Sequence, residues 1–125
     1  MWAQSYGVDI MDEYGADTEE EDANATAGVL TNKIEYELDL LKRHVKMLKL
    51  INKHKPIGII KLSNLSKHPQ HKVRYSLRML EQEGLIMPSP DGAVPTDKVN
   101  EYLPVLKETL GAMKAVIDEI DEILE

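Results

Sequence analysis

Apolar residues recur along most of this chain at the three- and four-residue spacing of a helix. Leu30, Ile34, Leu38, Leu41, Val45, Leu48 and Ile51 set the first run. It holds no proline or internal glycine, and Thr26 or Thr31 can cap its start, which predicts a helix over about Val29–Asn52. At about 24 residues it would be about 36 Å long, more than a small domain needs. Its first half is therefore expected to reach past the core toward another helix. Lys55-Pro56-Ile57-Gly58 breaks the run. Ile59, Leu62 and Leu65 then predict a short helix over Ile59–Ser66 with those three side chains facing inward.

The turn Ser66-Lys67-His68 leads to Pro69, a residue suited to the first position of a helix. From about Pro69 to Glu83, Val73, Leu77 and Leu80 form one stripe at i, i+4 and i+7. At 100° per residue His71, Tyr75, Arg78 and Gln82 fall on the opposite face, flanked by Lys72 and Arg74. Gly84 stands where a C-terminal cap belongs. Leu85-Ile86-Met87 predicts a strand, Pro88-Ser89-Pro90-Asp91-Gly92 a turn, and Ala93-Val94-Pro95 a return strand. Prolines in both arms put this hairpin at a sheet edge or tip.

Thr96 can cap the last helix, and Asp97 suits its positive end. Val99, Leu103, Leu106, Leu110, Met113, Ile117, Ile120 and Leu124 follow at alternating spacings of four and three, a heptad a/d stripe. Pro104 lies outside the stripe and is expected to kink or divide the helix near Asn100 to Leu103. Gly111 weakens it further. So narrow a stripe needs a partner. The favoured partner is the same helix in a second copy, making Leu103, Leu106, Leu110, Met113, Ile117, Ile120 and Leu124 dimerisation residues. The other candidate is the first helix, either as the partner within the same chain or as a second contributor to the homodimer. The expected fold is mainly α with a small β-hairpin. Residues 1–26 form an acidic, disordered tail, 27–96 a helix-turn-helix domain, and 97–125 a coiled-coil helix.

Composition narrows this picture. With no Phe and one Trp, the core must be aliphatic. Without cysteine there are no disulfides and no Cys-based zinc sites, which fits a reducing cytoplasm. No apolar run approaches the roughly 20 residues of a membrane span, and no secretory start is present. A cytoplasmic protein without membrane association is expected.

The net charge of −7 hides a segregated layout. Residues 1–25 hold eight acids and no Lys or Arg; residues 40–80 hold eleven Lys or Arg and no acid. Residues 97–125 hold eight acids against three Lys. A cationic centre between acidic ends points to a polyanion as partner. The acidic tail, with Trp2, Tyr6, Ile10, Met11 and Tyr14 interspersed, reads as a solubilising segment or as a competitor for the basic face.

The order helix, helix-turn-helix, small hairpin and long helix resembles the winged-helix family of DNA-binding domains. Ile57 to Ser66, Pro69 to Glu83 and Gly84-Leu85-Ile86 resemble its second helix, recognition helix and first wing strand. Leu80-Glu-Gln-Glu-Gly-Leu-Ile86 matches the common ending of a leucine, charged residues, a glycine and two aliphatics. His71-Lys-Val-Arg-Tyr-Ser-Leu-Arg-Met-Leu-Glu81 is similar to strings in small archaeal predicted transcriptional regulators. The resemblance covers Val29 to Thr96, and a dimerising C-terminal helix is common in such proteins. The chain departs from the family pattern twice. The turn lacks the usual glycine, and the wing tip carries Ser89 and Asp91 in place of Lys or Arg.

The resemblance implies a sequence-specific double-stranded DNA-binding transcriptional regulator acting as a dimer. Arg74 and Arg78 suit bidentate contacts to guanine, and Gln70 or His71 a base edge or phosphate. Tyr75 can offer its hydroxyl to a phosphate and its ring to a sugar or thymine methyl. Lys53, Lys55, Lys67 and Lys72 suit phosphates. The rival reading is a winged-helix interaction module without DNA binding. RNA is disfavoured by the scarcity of stacking aromatics. No cofactor is expected, and no catalytic constellation is evident. His68 and His71, three apart, lack further metal ligands. All four histidines lie in the basic stretch, so polyanion binding is expected to strengthen as pH falls.

Overall fold

The structure, a computed structural model, describes residues 28–125 of the chain. The expected tail over 1–26 lies outside the described residues, as does Thr26. Four helices and one hairpin follow in the order α1 (Val29–His54), α2 (Ile59–Ser66), α3 (Gln70–Gln82), β1 (Ile86–Ser89), β2 (Gly92–Pro95) and α4 (Lys98–Leu124). The described chain is thus mainly helical with a two-stranded antiparallel hairpin.

The 26 residues of α1 begin after Gly28, which holds the cap position without a side-chain hydrogen bond; Thr31 does not cap the helix. Its core face is Leu40, Met47, Leu48 and Ile51. Leu48 and Ile51 belong to the expected run, but Leu40 and Met47 are buried where Leu38, Leu41 and Val45 were expected; Leu41 and Val45 are half-buried and Leu38 is exposed. The helix meets α2, α3 and β2, and these neighbours choose which apolar row is buried. The first half does reach past the core, with Val29, Leu30, Ile34 and Leu38 exposed.

In α2, Leu62 is buried and Ile59 packs against the core, but Leu65 is exposed and Ser66 is buried in its place. The reason is the turn that follows. Lys67 adopts the left-handed conformation, φ 63 and ψ 25, and its N–H donates to the Ser63 carbonyl. Ser66 faces inward, where its hydroxyl accepts from the His68 N–H (3.2 Å) and its carbonyl accepts from Lys46 Nζ (3.0 Å). Ser63 Oγ donates to the His68 carbonyl (2.6 Å). These bonds hold the α2–α3 turn without the glycine that would adopt it at least cost.

Pro69 precedes α3 as its cap residue, and Val73, Leu77 and Leu80 enter the core as the spacing predicts. The hairpin pairs Ile86 with Pro95, Met87 with Val94, Pro88 with Ala93 and Ser89 with Gly92. Ile57, in the segment between α1 and α2, adds a third rung. Its N–H donates to the Ala93 carbonyl (3.2 Å) and its carbonyl accepts from the Ala93 N–H (2.8 Å). Ala93 spends both backbone groups on Ile57, so Pro88 opposite it owes no ladder bond and sits on the free edge. Gly92 is required here: an added Cβ would lie 2.5–2.8 Å from the Ile57 backbone, and its φ is 133°.

The last helix starts at Lys98 with Asp97 at its cap position and no side-chain cap bond. Thr96 does not cap it; its hydroxyl donates to the Gly84 carbonyl instead. Pro104 does not divide the helix, which continues for 27 residues. Val99 is in the core and Tyr102 and Leu103 pack against it, so Leu103 serves this domain rather than an interface alone. Residues 111–125 are exposed throughout, which rules out a hairpin of this segment with α1.

Candidate nucleic-acid interface

Burial of Val73, Leu77 and Leu80 fixes how α3 is turned and leaves a polar set on its other side. Lys67 and Gln70 are exposed at its start, and His71, Lys72, Arg74 and Arg78 are half-buried along it. Gln70 Oε1 accepts from an Arg74 guanidinium nitrogen at 3.4 Å, which steadies both side chains one turn apart. His71, Lys72, Arg74 and Arg78 each also interact with another group of the chain. Lys53 and Lys55, at the end of α1, are exposed.

Tyr75 departs from the expected set. Helical projection puts it opposite the core, yet it is only 3% exposed. Its ring centroid lies 5.8 Å from that of His44, and the Arg43 guanidinium carbon is 5.8 Å from its centroid, within cation–π range. A long side chain that turns back against α1 is not presented to a groove. Arg43 likewise leaves the solvent-facing basic set, being 7% exposed.

Arg43, His44, Tyr75 and Ser76 make a polar junction between α1 and α3 that the apolar pattern does not announce. Arg43 Nε donates to Ser76 Oγ at 3.0 Å, and His44 Nδ1 lies 2.8 Å from the same oxygen. While it accepts from Arg43, the Ser76 hydroxyl still has its own hydrogen to give to Nδ1, an arrangement that suits a neutral His44 with its proton on Nε2. Burial, and secondly the adjacent Arg43 charge, lower the His44 pKa from 6.5 to about 4. His44 therefore stays uncharged where the sequence suggested a histidine gaining charge below neutrality. The one signal for this junction is spacing: Ser76 sits three residues after Val73 and four before Leu80, on the buried side.

The hairpin tip is Pro90-Asp91, with Ser89 Oγ donating to the Gly92 carbonyl at 2.7 Å. It offers no cation. Of the heptad stripe, Leu106 and Leu110 are half-buried, while Met113, Ile117, Ile120 and Leu124 are exposed. Among the described residues no group of three or more His, Asp or Glu is placed to hold a metal. No described helix is long and apolar enough to cross a membrane. Comparison with protein-family models and with curated proteins finds no match for the chain.

Proposed function

We propose that the chain is a winged helix-turn-helix regulator that binds double-stranded DNA with α3 in the major groove, as a dimer joined through α4, in the cytoplasm. The observation that carries this reading is α3. Its apolar row is buried, and Gln70, His71, Lys72, Arg74 and Arg78 lie on its other side, within a stretch of residues 40–80 that holds no acid. A helix so mounted matches the width of the major groove and the donors that read guanine and phosphate. Support for the winged-helix reading comes from the pairing of Ile57 with Ala93, which ties the hairpin to the segment before α2. Arg74 and Arg78 are the specificity residues of this proposal. Lys53, Lys55, Lys67 and Lys72 are its phosphate anchors.

Fluorescence anisotropy of labelled random-sequence duplex, titrated with protein over about 50 to 200 mM salt, tests it. Counterion release predicts steep weakening with salt and loss of binding in Arg74→Ala/Arg78→Ala. If that pair of neutralised arginines binds as the parent does, DNA recognition by α3 is refuted and the interaction-module reading takes its place. For the dimer, Leu110→Asp/Ile117→Asp yields monomers by light scattering; an unchanged mass places the interface elsewhere.

A further inference from the structure

We infer that α4 pairs with α4 of a second copy in antiparallel orientation, with Met113 of one helix facing Ile117 of the other. The inference deepens the dimer reading above and rests on it. The unpartnered face begins where α4 leaves its own domain. Val99 and Leu103 are used by the core, and from Met113 onward the apolar side chains are 42–82% exposed. Two helices aligned antiparallel with Val105 of one beside Glu125 of the other overlap over this free length and no more. That register seats Leu106 against Leu124, Leu110 against Ile120 and Met113 against Ile117, each pair twice. Every remaining stripe residue then has a partner.

Charge selects the orientation. After Lys114 the helix holds Asp118, Glu119, Asp121, Glu122 and Glu125 and no base. A parallel pair would bring both sets together at one end. Its flanking contacts between positions g and e would be Thr109 with Lys114 and Val116 with Asp121, none an ion pair. Reversal moves the two acidic ends apart and faces Lys107 of each helix with Asp121 of the other. The flanking g positions meet as Val116 with Val116 and Thr109 with Ile123, which widens the apolar seam. Lys114 meets its own copy at the two-fold axis, where its length lets the ammonium turn into water. Sliding by one heptad in one direction opposes Lys107 with Lys114; sliding in the other leaves Leu106 and Leu110 without partners. The register with Met113 against Ile117 avoids both.

The absence of cysteine makes a direct test available. The full chain is first weighed by light scattering. Leu110→Cys and Ile120→Cys proteins, one carrying a tag, are then oxidised separately and as an equilibrated mixture. A dimeric mass, no linkage within either protein alone and a mixed disulfide in the mixture are the expected results. A monomeric mass overturns the dimer reading beneath the inference. A dimer in which each variant links to itself keeps that reading and overturns the antiparallel arrangement, as does a dimer in which nothing links. Charge exchange supplies a second readout. Lys107→Glu raises the dimer dissociation constant about tenfold, and Asp121→Lys in the same chain restores it. Failure of that rescue refutes the register.

Discussion

Acid should loosen the junction between α1 and α3, and His44 is the group through which it acts. The unfolded imidazole has a pKa near 6.5, and in the folded chain burial and Arg43 lower it to about 4. Above both values neither state is protonated, and below both each is. Between them the unfolded chain binds more protons, so stability falls as pH drops through that window. A difference of that size corresponds to about 3 kcal/mol, of which about 2 kcal/mol is lost between pH 7 and about pH 4.5. Against a typical domain stability of about 5–15 kcal/mol this is a large share. The control is His44→Asn, whose Oδ1 can accept from Ser76 Oγ much as Nδ1 does but does not titrate. Urea unfolding of both proteins, at fixed salt and protein concentration, isolates the histidine from the carboxylates. The wild type should lose about 2 kcal/mol more than the variant over that interval. Parallel curves would mean that His44 takes up its proton in the folded chain as readily as in the unfolded one, and would refute a neutral His44 at the junction of α1 and α3.

Three further outcomes follow from the geometry. Lys67→Gly should stabilise the domain by about 0.5–1 kcal/mol in urea unfolding, because glycine adopts the left-handed turn without strain. Loss of stability would show that the Lys67 side chain contributes more than its backbone costs. Gly92→Ala should destabilise by about 3 kcal/mol or more, since its Cβ collides with the Ile57 backbone; a thermal midpoint within a degree of wild type would contradict the Ile57–Ala93 pairing. Removing residues 1–25 takes away eight of the 22 acids and no base. It should raise affinity for duplex DNA at low salt, and an affinity that falls would assign those residues a part in binding.

Period and punctuation were enough to place every described element. The short helix falls at Ile59–Ser66 as expected, and the other helix bounds lie within two residues of expectation. The errors share a physical origin. Projection at 100° per residue treats side chains as radial, whereas Tyr75 bends along the surface to reach Arg43 and His44. In α1 apolar residues occupy more than one row, so Leu48 and Ile51 are buried as the spacing predicts, whereas neighbours bury Leu40 and Met47 in place of Leu38, Leu41 and Val45. Ile57 pairs through its backbone alone with a residue 36 positions away, which no local pattern encodes. Ser66 faces inward in place of Leu65 at the left-handed turn, where its hydroxyl accepts from the His68 N–H. The candidate basic surface was legible in outline, since charge segregation is visible in one dimension. Its membership was not, because burial of Arg43 and Tyr75 is decided in three.

The end of α3 is tied to the start of α4 by backbone acceptors. Lys98 Nζ donates to the Glu83 carbonyl at 2.7 Å, Thr96 Oγ1 to that of Gly84, and the Thr96 N–H to that of Leu85 at 2.9 Å. No flexible linker separates the two helices, so α4 is a lever whose fulcrum is the C-terminus of α3. A helix of 27 residues is about 40 Å long. A change of about 5° in its inclination displaces its far end by about 3.5 Å, roughly the rise of one DNA base pair. In a dimer held through α4, a bend that small would alter the separation of the two α3 helices by a whole step of the duplex.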